Sequence, residues 1–120
     1  MFNTVLGYTR MAVVSESQMR KGVLELVVLA SLKHQPAYGG ALLETLTESL
    51  GSELSSGTLY PLLARLRKTG MLETHWEESP IGPPRKVYRV TDRGSTRLND
   101  LYADWNELVE AVSTALKGTT

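Results

Sequence analysis

Hydroxyl and cationic side chains suited to binding a polyanion are concentrated in one stretch of this 120-residue chain, between residues 56 and 97. Hydroxyls can donate hydrogen bonds to phosphate oxygens or base edges, and cations neutralise phosphate charge. The hydroxyls begin an amphipathic segment with one apolar face, formed by Leu59, Leu62, Leu63 and Leu66. Three of the four candidate cations lie on a later extended segment. The candidate contacts are Ser56, Thr58, Tyr60, Arg65, Arg85, Lys86 and Arg89.

Each of these residues also has a purely structural interpretation. Thr58 could be a simple helix cap, Tyr60 could pack on the later extended segment, and Arg89 could be a solvated surface charge. The charge distribution favours binding: residues 56–97 carry eight basic and four acidic side chains, whereas residues 98–120 carry one basic and four acidic. The net charge of zero argues against a passive polyanion binder. Ordinary scatter of surface charge is the alternative explanation.

Catalytic and metal-binding patterns are absent from the sequence. It contains no cysteine, and His34 and His75 are not part of a pattern with metal-ligand spacing. Glu77 and Glu78 are adjacent, so on a strand they point to opposite faces and cannot act as a paired acid and base. We therefore expect no enzyme, no cofactor and no metal. No apolar run reaches the ~20 residues of a membrane span, and a cytoplasmic location is expected.

Hydrophobic periodicity predicts helices at 19–33, 38–50, 56–69 and 92–117 and strands at 72–78 and 85–90. By periodicity alone, 19–33 could also be a buried strand, but its length and its Leu and Ala content favour a helix that Pro36 ends. Residues 1–18 are expected to form a short N-terminal arm. The three prolines within 80–84 predict a projecting turn outside any helix or ladder.

A third helix followed by a two-stranded hairpin is the order of a winged helix-turn-helix, which presents one element to the major groove of DNA. The predicted fold is therefore mainly α with a small two-stranded β-wing. Residues 19–91 would form the DNA-binding domain. Caps are expected at Ser55 or Ser56 and at Thr91, with Gly51 and Gly70 ending helices two and three.

The predicted last helix, 92–117, carries a long apolar stripe that the rest of the chain is too small to cover. A partner helix from a second subunit is the simplest cover, so a homodimer through this helix is expected. Packing on helix one of the same chain is the alternative. The stripe consists of Leu98, Leu101, Trp105, Leu108, Val112 and Leu116, widened by Tyr102 and Val109.

Several blocks of the sequence resemble the PadR family of bacterial transcriptional regulators. They are Met19–Leu26, Tyr38-Gly39, Glu53–Leu62 with its Gly-Thr-Leu-Tyr-Pro core, Gly70–Glu73 and Pro84–Thr91. The single C-terminal helix is similar to the shorter branch of the family, which includes multidrug-sensing repressors. Two positions depart from the family pattern. Gly40 replaces a usually larger residue, and Ile81 with an extra proline replaces a glycine-rich wing tip.

This resemblance implies a homodimeric winged-helix repressor that binds a double-stranded DNA operator and releases it on binding a small aromatic or cationic molecule. It adds Tyr38, which opens helix two, to the DNA-binding residues. It also implies an effector site around Trp105, with Leu101, Tyr102 and Leu108 beside it, although a Trp at such a seam can equally be core filler. A winged-helix protein–protein adaptor without DNA binding is the alternative function.

Overall fold

The computed structural model describes residues 5–51 and 54–118, with side chains described from Gln18 onward. Its elements follow the order of a winged helix with one additional, very short strand. They are α1 (Val5–His34), β1 (Ala37–Tyr38), α2 (Gly39–Leu50), α3 (Ser56–Lys68), β2 (Leu72–Ser79), β3 (Gly82–Val90) and α4 (Asp92–Leu116).

The first helix is longer than the sequence predicted. It begins at Val5 instead of Met19, so the expected boundary at residue 18 falls inside α1; residues 1–4 lie outside the described residues. The helix ends at His34, two residues before Pro36. Proline has no N–H to donate and disfavours helical backbone in the residue before it, which explains this end.

The sheet has three antiparallel strands in the order β1-β3-β2, not the two that were predicted. β1 pairs Ala37 with Tyr88 and Tyr38 with Val87. A strand of two residues is too short to show alternation, so sequence periodicity assigned Tyr38 to the start of helix two. The backbone of Tyr38 is extended and forms the N-cap of α2.

The predicted exclusion of residues 79–84 from the ladder is wrong. β2 reaches Ser79, and β3 begins at Gly82 and runs through both Pro83 and Pro84, with Ser79 opposite Gly82. The register shifts between Glu77 and Ser79, and such an irregularity tolerates residues that lack an N–H donor. The turn itself is therefore confined to residues 80 and 81.

Leucine faces of the first three helices meet in one core against the inner side of the sheet. Of the predicted leucine stripe of α3, Leu59, Leu63 and Leu66 are buried and Leu62 is half-buried at the edge of the core. Burying a side chain of this size contributes about 1.5–3 kcal/mol. Gly51 adopts the left-handed conformation, φ 69°, that ends α2. The buried cluster contains Leu24, Val28, Leu29, Leu32, Leu42, Leu46, Leu59, Leu63, Leu66, Leu72 and Tyr88.

The start of α4 is fastened to the base of the wing. Thr91 caps the helix as predicted, because its hydroxyl accepts a bond from the N–H of Gly94 at 3.0 Å. The same hydroxyl lies 2.6 Å from the Gly70 carbonyl, to which it donates, and the Thr91 N–H donates to the Met71 carbonyl at 3.1 Å. Gly94 is buried against Met71, where an added Cβ would overlap the Met71 carbonyl oxygen.

Candidate nucleic-acid interface

The outer face of α3 is accessible to solvent and consists mostly of small residues. Leu59, Leu63 and Leu66 point into the core, so the residues half a turn away project outward. Those farthest from the core are Gly57, Pro61 and Ala64, with Lys68 at the end, and all four are exposed. An α-helix fits the major groove of DNA, and small side chains on this ridge allow a close approach.

Hydroxyl groups cluster at the start of α3. The cap is Ser55 and not Ser56: its hydroxyl accepts the backbone N–H of Thr58 at 3.2 Å, and Ser56 is exposed. The Ser55 hydroxyl also lies 3.2 Å from the Thr58 hydroxyl, to which it donates. Thr58 is therefore half-buried in the capping cluster rather than the cap itself, and Ser56 is the freer hydroxyl.

Tyr60 of α3 lies against the start of α2. Its side chain is 42% exposed, and its ring fills the space over Gly39. Burial raises the pKa of the Tyr88 hydroxyl on β3, the neighbouring Tyr60 raises it further, and Arg67 opposes the shift. Tyr88 therefore stays protonated at neutral pH.

Arg65 is directed toward α1 instead of standing free. Its guanidinium lies 3.6 Å from a carboxylate oxygen of Glu25, whose other oxygen accepts a bond from Arg97 of α4 at 2.9 Å. This bond raises the pKa of Arg97. Sequence reasoning missed Glu25, although it is the only acidic residue within the predicted helix 19–33. A lone carboxylate in an apolar helix is a signal for such a pairing.

The basic run of the wing divides between the two faces of the hairpin, because side chains alternate along a strand. Lys86 lies on the same face as Tyr88, with its ammonium 5.7 Å from the ring centre of Trp76. Arg85 lies on the other face, 4.4 Å above the ring of Tyr38, and donates to the Ser79 hydroxyl at 2.8 Å.

The remaining predicted contact, Arg89, is exposed and lies on the Arg85 face directly opposite Glu73. The face of the hairpin that carries Tyr88 therefore has Lys86 but neither Arg85 nor Arg89. His75 lies on the Arg85 face, with Nε2 3.3 Å from a carboxylate oxygen of Glu77. Among the described residues, no group of three or more His, Asp or Glu side chains could hold a metal ion.

An apolar groove of about 640 Å³ separates α1 from α4. Of the predicted effector residues, Trp105 and Tyr102 line it, whereas Leu101 packs against the core and Leu108 lies one turn beyond, exposed. Sequence reasoning missed the α1 wall, although a helix that is apolar on every side needs cover on every side. The lining is Val23, Leu26, Val27, Ala30, Leu50, Leu98, Asn99, Tyr102 and Trp105.

Comparison with known proteins decides which family this architecture represents. Residues 28–100 match the transcriptional regulator PadR-like family. The chain belongs to the PadR-like family. A PadR-family transcriptional regulator from Eggerthella lenta is 34% identical, with a TM-score of 0.86 over 97% of this chain and 100% of that one.

Two further solved PadR-like proteins agree. A PadR-like transcription factor from Bacteroides fragilis is 42% identical, covering 84% of this chain and 97% of that one with a TM-score of 0.70. A PadR-like transcriptional regulator from Bacillus cereus is 34% identical, covering 82% and 96% with a TM-score of 0.75. The winged-helix class and the family resemblance are thereby confirmed, and the chain is a DNA-binding transcriptional regulator. Within residues 5–51 and 54–118, no helix is long and apolar enough to cross a membrane.

Proposed function

We propose that this PadR-like regulator is a homodimeric repressor that holds an operator through α3 and the wing and releases it when a planar aromatic or cationic molecule binds beside Trp105. The observation that carries the proposal is the uncovered apolar stripe on α4. From Tyr102 to the end of the helix, every large apolar side chain is at least 40% exposed.

The α4 stripe supports a dimer through residues 92–117. Only its first part is covered within the chain, since Leu98 and Leu101 pack against the core. Beyond them, Leu108 and Val112 are 55% and 58% exposed. An apolar surface of this length favours association, and a two-fold dimer would cover it with a second copy of itself. Two recognition helices would then read two half-sites at fixed spacing.

The proposed DNA contacts fall into two groups. Ser56, Thr58 and Tyr60 would contact base edges or phosphates from α3, and Lys86 would reach a phosphate from the wing. In the second group, Tyr38, Arg65 and Arg85 are already engaged within the chain and would reach DNA around those partners. Arg89 lies opposite Glu73 on the second face of the hairpin and would reach a phosphate from that face.

The proposed effector site is the groove between α1 and α4. Trp105 is 40% exposed and forms one wall with Tyr102, opposite the apolar side chains of α1. Asp104 is exposed next to Trp105 in the sequence. Asp104 is not among the residues that line the groove, so the aromatic wall is what would attract a planar cation, through stacking and cation–π attraction.

A band-shift assay against the DNA upstream of its own gene tests the proposal. We expect a salt-sensitive shift that a planar cationic dye reverses, and quenching of tryptophan emission by the same dye. Trp105→Ala should remove the quenching and the dye response but keep the shift. Trp76→Phe is the matched control because Trp76 lies on the wing, and it should keep the quenching. Absence of any shift would favour the adaptor, and quenching that follows Trp76 would refute the effector site.

A further inference from the structure

We infer that Gly39 is a positioning residue for DNA recognition. Because glycine has no side chain, the ring of Tyr60 can occupy the space at the start of α2. Gly39 is buried and need not touch DNA for its identity to control operator affinity. The inference rests on the proposed contact of Tyr60 with DNA.

The distances leave no room for a methyl group at position 39. An ideal Cβ built there would lie 2.6 Å from Cε1, 2.7 Å from the hydroxyl oxygen and 2.9 Å from Cζ of Tyr60. These atoms form the outer end of the ring, and a side chain can swing about its torsions more cheaply than a helix can shift. Gly39→Ala should therefore displace the tyrosine instead of unfolding the domain.

The exposure of Tyr60 gives the displaced ring a way out. Gly39 is buried, whereas Tyr60 is 42% exposed, so the ring can swing from the start of α2 toward solvent. The Tyr60 hydroxyl then leaves its place over Gly39 and no longer makes the proposed contact with DNA.

Gly40 provides a matched control within the same turn of the same helix. A Cβ at Gly40 would meet only Cε2 of Tyr38, at 4.0 Å, which is ordinary van der Waals contact. Gly39 and Gly40 are the first two residues of α2, so replacement by alanine changes helix propensity similarly at both. A difference between the two variants therefore reports the contact with Tyr60.

The experiment compares Gly39→Ala, Gly40→Ala, Tyr60→Ala and the Gly39→Ala/Tyr60→Ala double variant in the full chain. Binding to the operator and to random DNA is measured by fluorescence anisotropy, and unfolding by heat. We expect Gly39→Ala to weaken operator binding by roughly 5- to 100-fold, as removal of a base-reading hydrogen bond does. Gly40→Ala should stay within about twofold of wild type, and the double variant should bind as Tyr60→Ala does. Random-DNA binding by Gly39→Ala should fall no further than it does in Tyr60→Ala, whereas general damage to the domain would lower it further.

Two outcomes would overturn the inference. One is wild-type operator affinity in folded Gly39→Ala; the other is an equal loss from Gly39→Ala when Tyr60 is already alanine, because the methyl group would then act on something else. If Gly39→Ala does not fold, the double variant must fold, and its failure would also refute the contact. If Tyr60→Ala binds like wild type, the proposed DNA contact fails by itself, and the unfolding data still decide whether residues 39 and 60 are coupled.

Discussion

Apolar side chains recur at spacings of three and four in both α3 and α4, but their surroundings differ. On α3, Leu59 and Leu63 are fully buried; on α4, Leu108 and Val112 are more than half exposed. The same pattern predicts, in both places, a helix with an apolar face that favours burial. What covers that face depends on the rest of the fold, and for the far end of α4 the described chain provides nothing.

The largest expected effect comes from the α4 stripe, if a second subunit covers it. Leu108→Asp with Val112→Asp puts two charges on the exposed part of α4, so the dimer and operator binding should be lost together while the monomer stays folded. Sedimentation velocity and circular dichroism check both parts. Thr114→Asp adds a charge on the opposite side of the same helix, at an exposed position, and should leave the dimer intact. A double variant that still sediments as a dimer would place the interface elsewhere.

On α3, shortening one core side chain is enough to destabilise the domain. Leu63→Ala removes a fully buried side chain, so the free energy of unfolding should fall by about 2–5 kcal/mol. Urea denaturation measures the loss, at a protein concentration held constant because unfolding of a dimer depends on it. Leu116→Ala is the comparison, since this side chain is 82% exposed, and a similar loss there would mean that the end of α4 is covered within the monomer.

Replacing the DNA-reading side chains of α3 should have a smaller effect. Thr58→Ala and Tyr60→Ala together should weaken operator binding by about 1–3 kcal/mol for each base-reading interaction that they remove. Thr58 also belongs to the capping cluster, so part of its effect falls on stability. Thermal unfolding separates the two contributions. Unchanged operator affinity in the folded double variant would remove α3 as the reading element.

The smallest expected effect distinguishes the two faces of the wing. Lys86→Ala should lower the magnitude of the log–log salt slope of DNA binding by about one, as expected when one phosphate is no longer neutralised. Arg89→Ala should change the slope by less than Lys86→Ala does, because Arg89 lies on the other face of the hairpin, opposite Glu73. Anisotropy titrations at several salt concentrations measure both slopes. Equal changes would show that DNA contacts both faces of the hairpin.

Local signals allowed most of the fold to be predicted. The cap at Thr91, the C-terminal glycine of α2 and the leucine face of α3 each depend on a few neighbouring residues, and the structure confirms them. The family resemblance pointed to the same class. Chain features that depend on distant partners were missed: β1 is a strand through its pairing with β3, and the prolines of β3 lie where the pairing with β2 is irregular.

The candidate site was predicted as residue types but not as geometry. Arg85 and Lys86 are adjacent in sequence, yet the Arg85 guanidinium lies over the ring of Tyr38 and the Lys86 ammonium over the ring of Trp76. The pairing of Arg65 with Glu25 joins residues 40 positions apart on different helices, and the place of Tyr60 depends on a glycine in another helix. Composition and periodicity carry no information about such pairs, because each member alone has an ordinary surface interpretation.

The fastening of α4 at Thr91 has a consequence for how this chain can change in length. The helix phase is set where Thr91 and Gly94 contact the base of the wing. One residue inserted between Gly94 and Trp105 would turn everything beyond it by about 100° and advance it about 1.5 Å. The exposed stripe would then face away from its present direction. Extra residues after Leu116 leave that phase unchanged. The helix therefore tolerates additional residues at its C-terminal end but not a one-residue insertion near its N-terminal end.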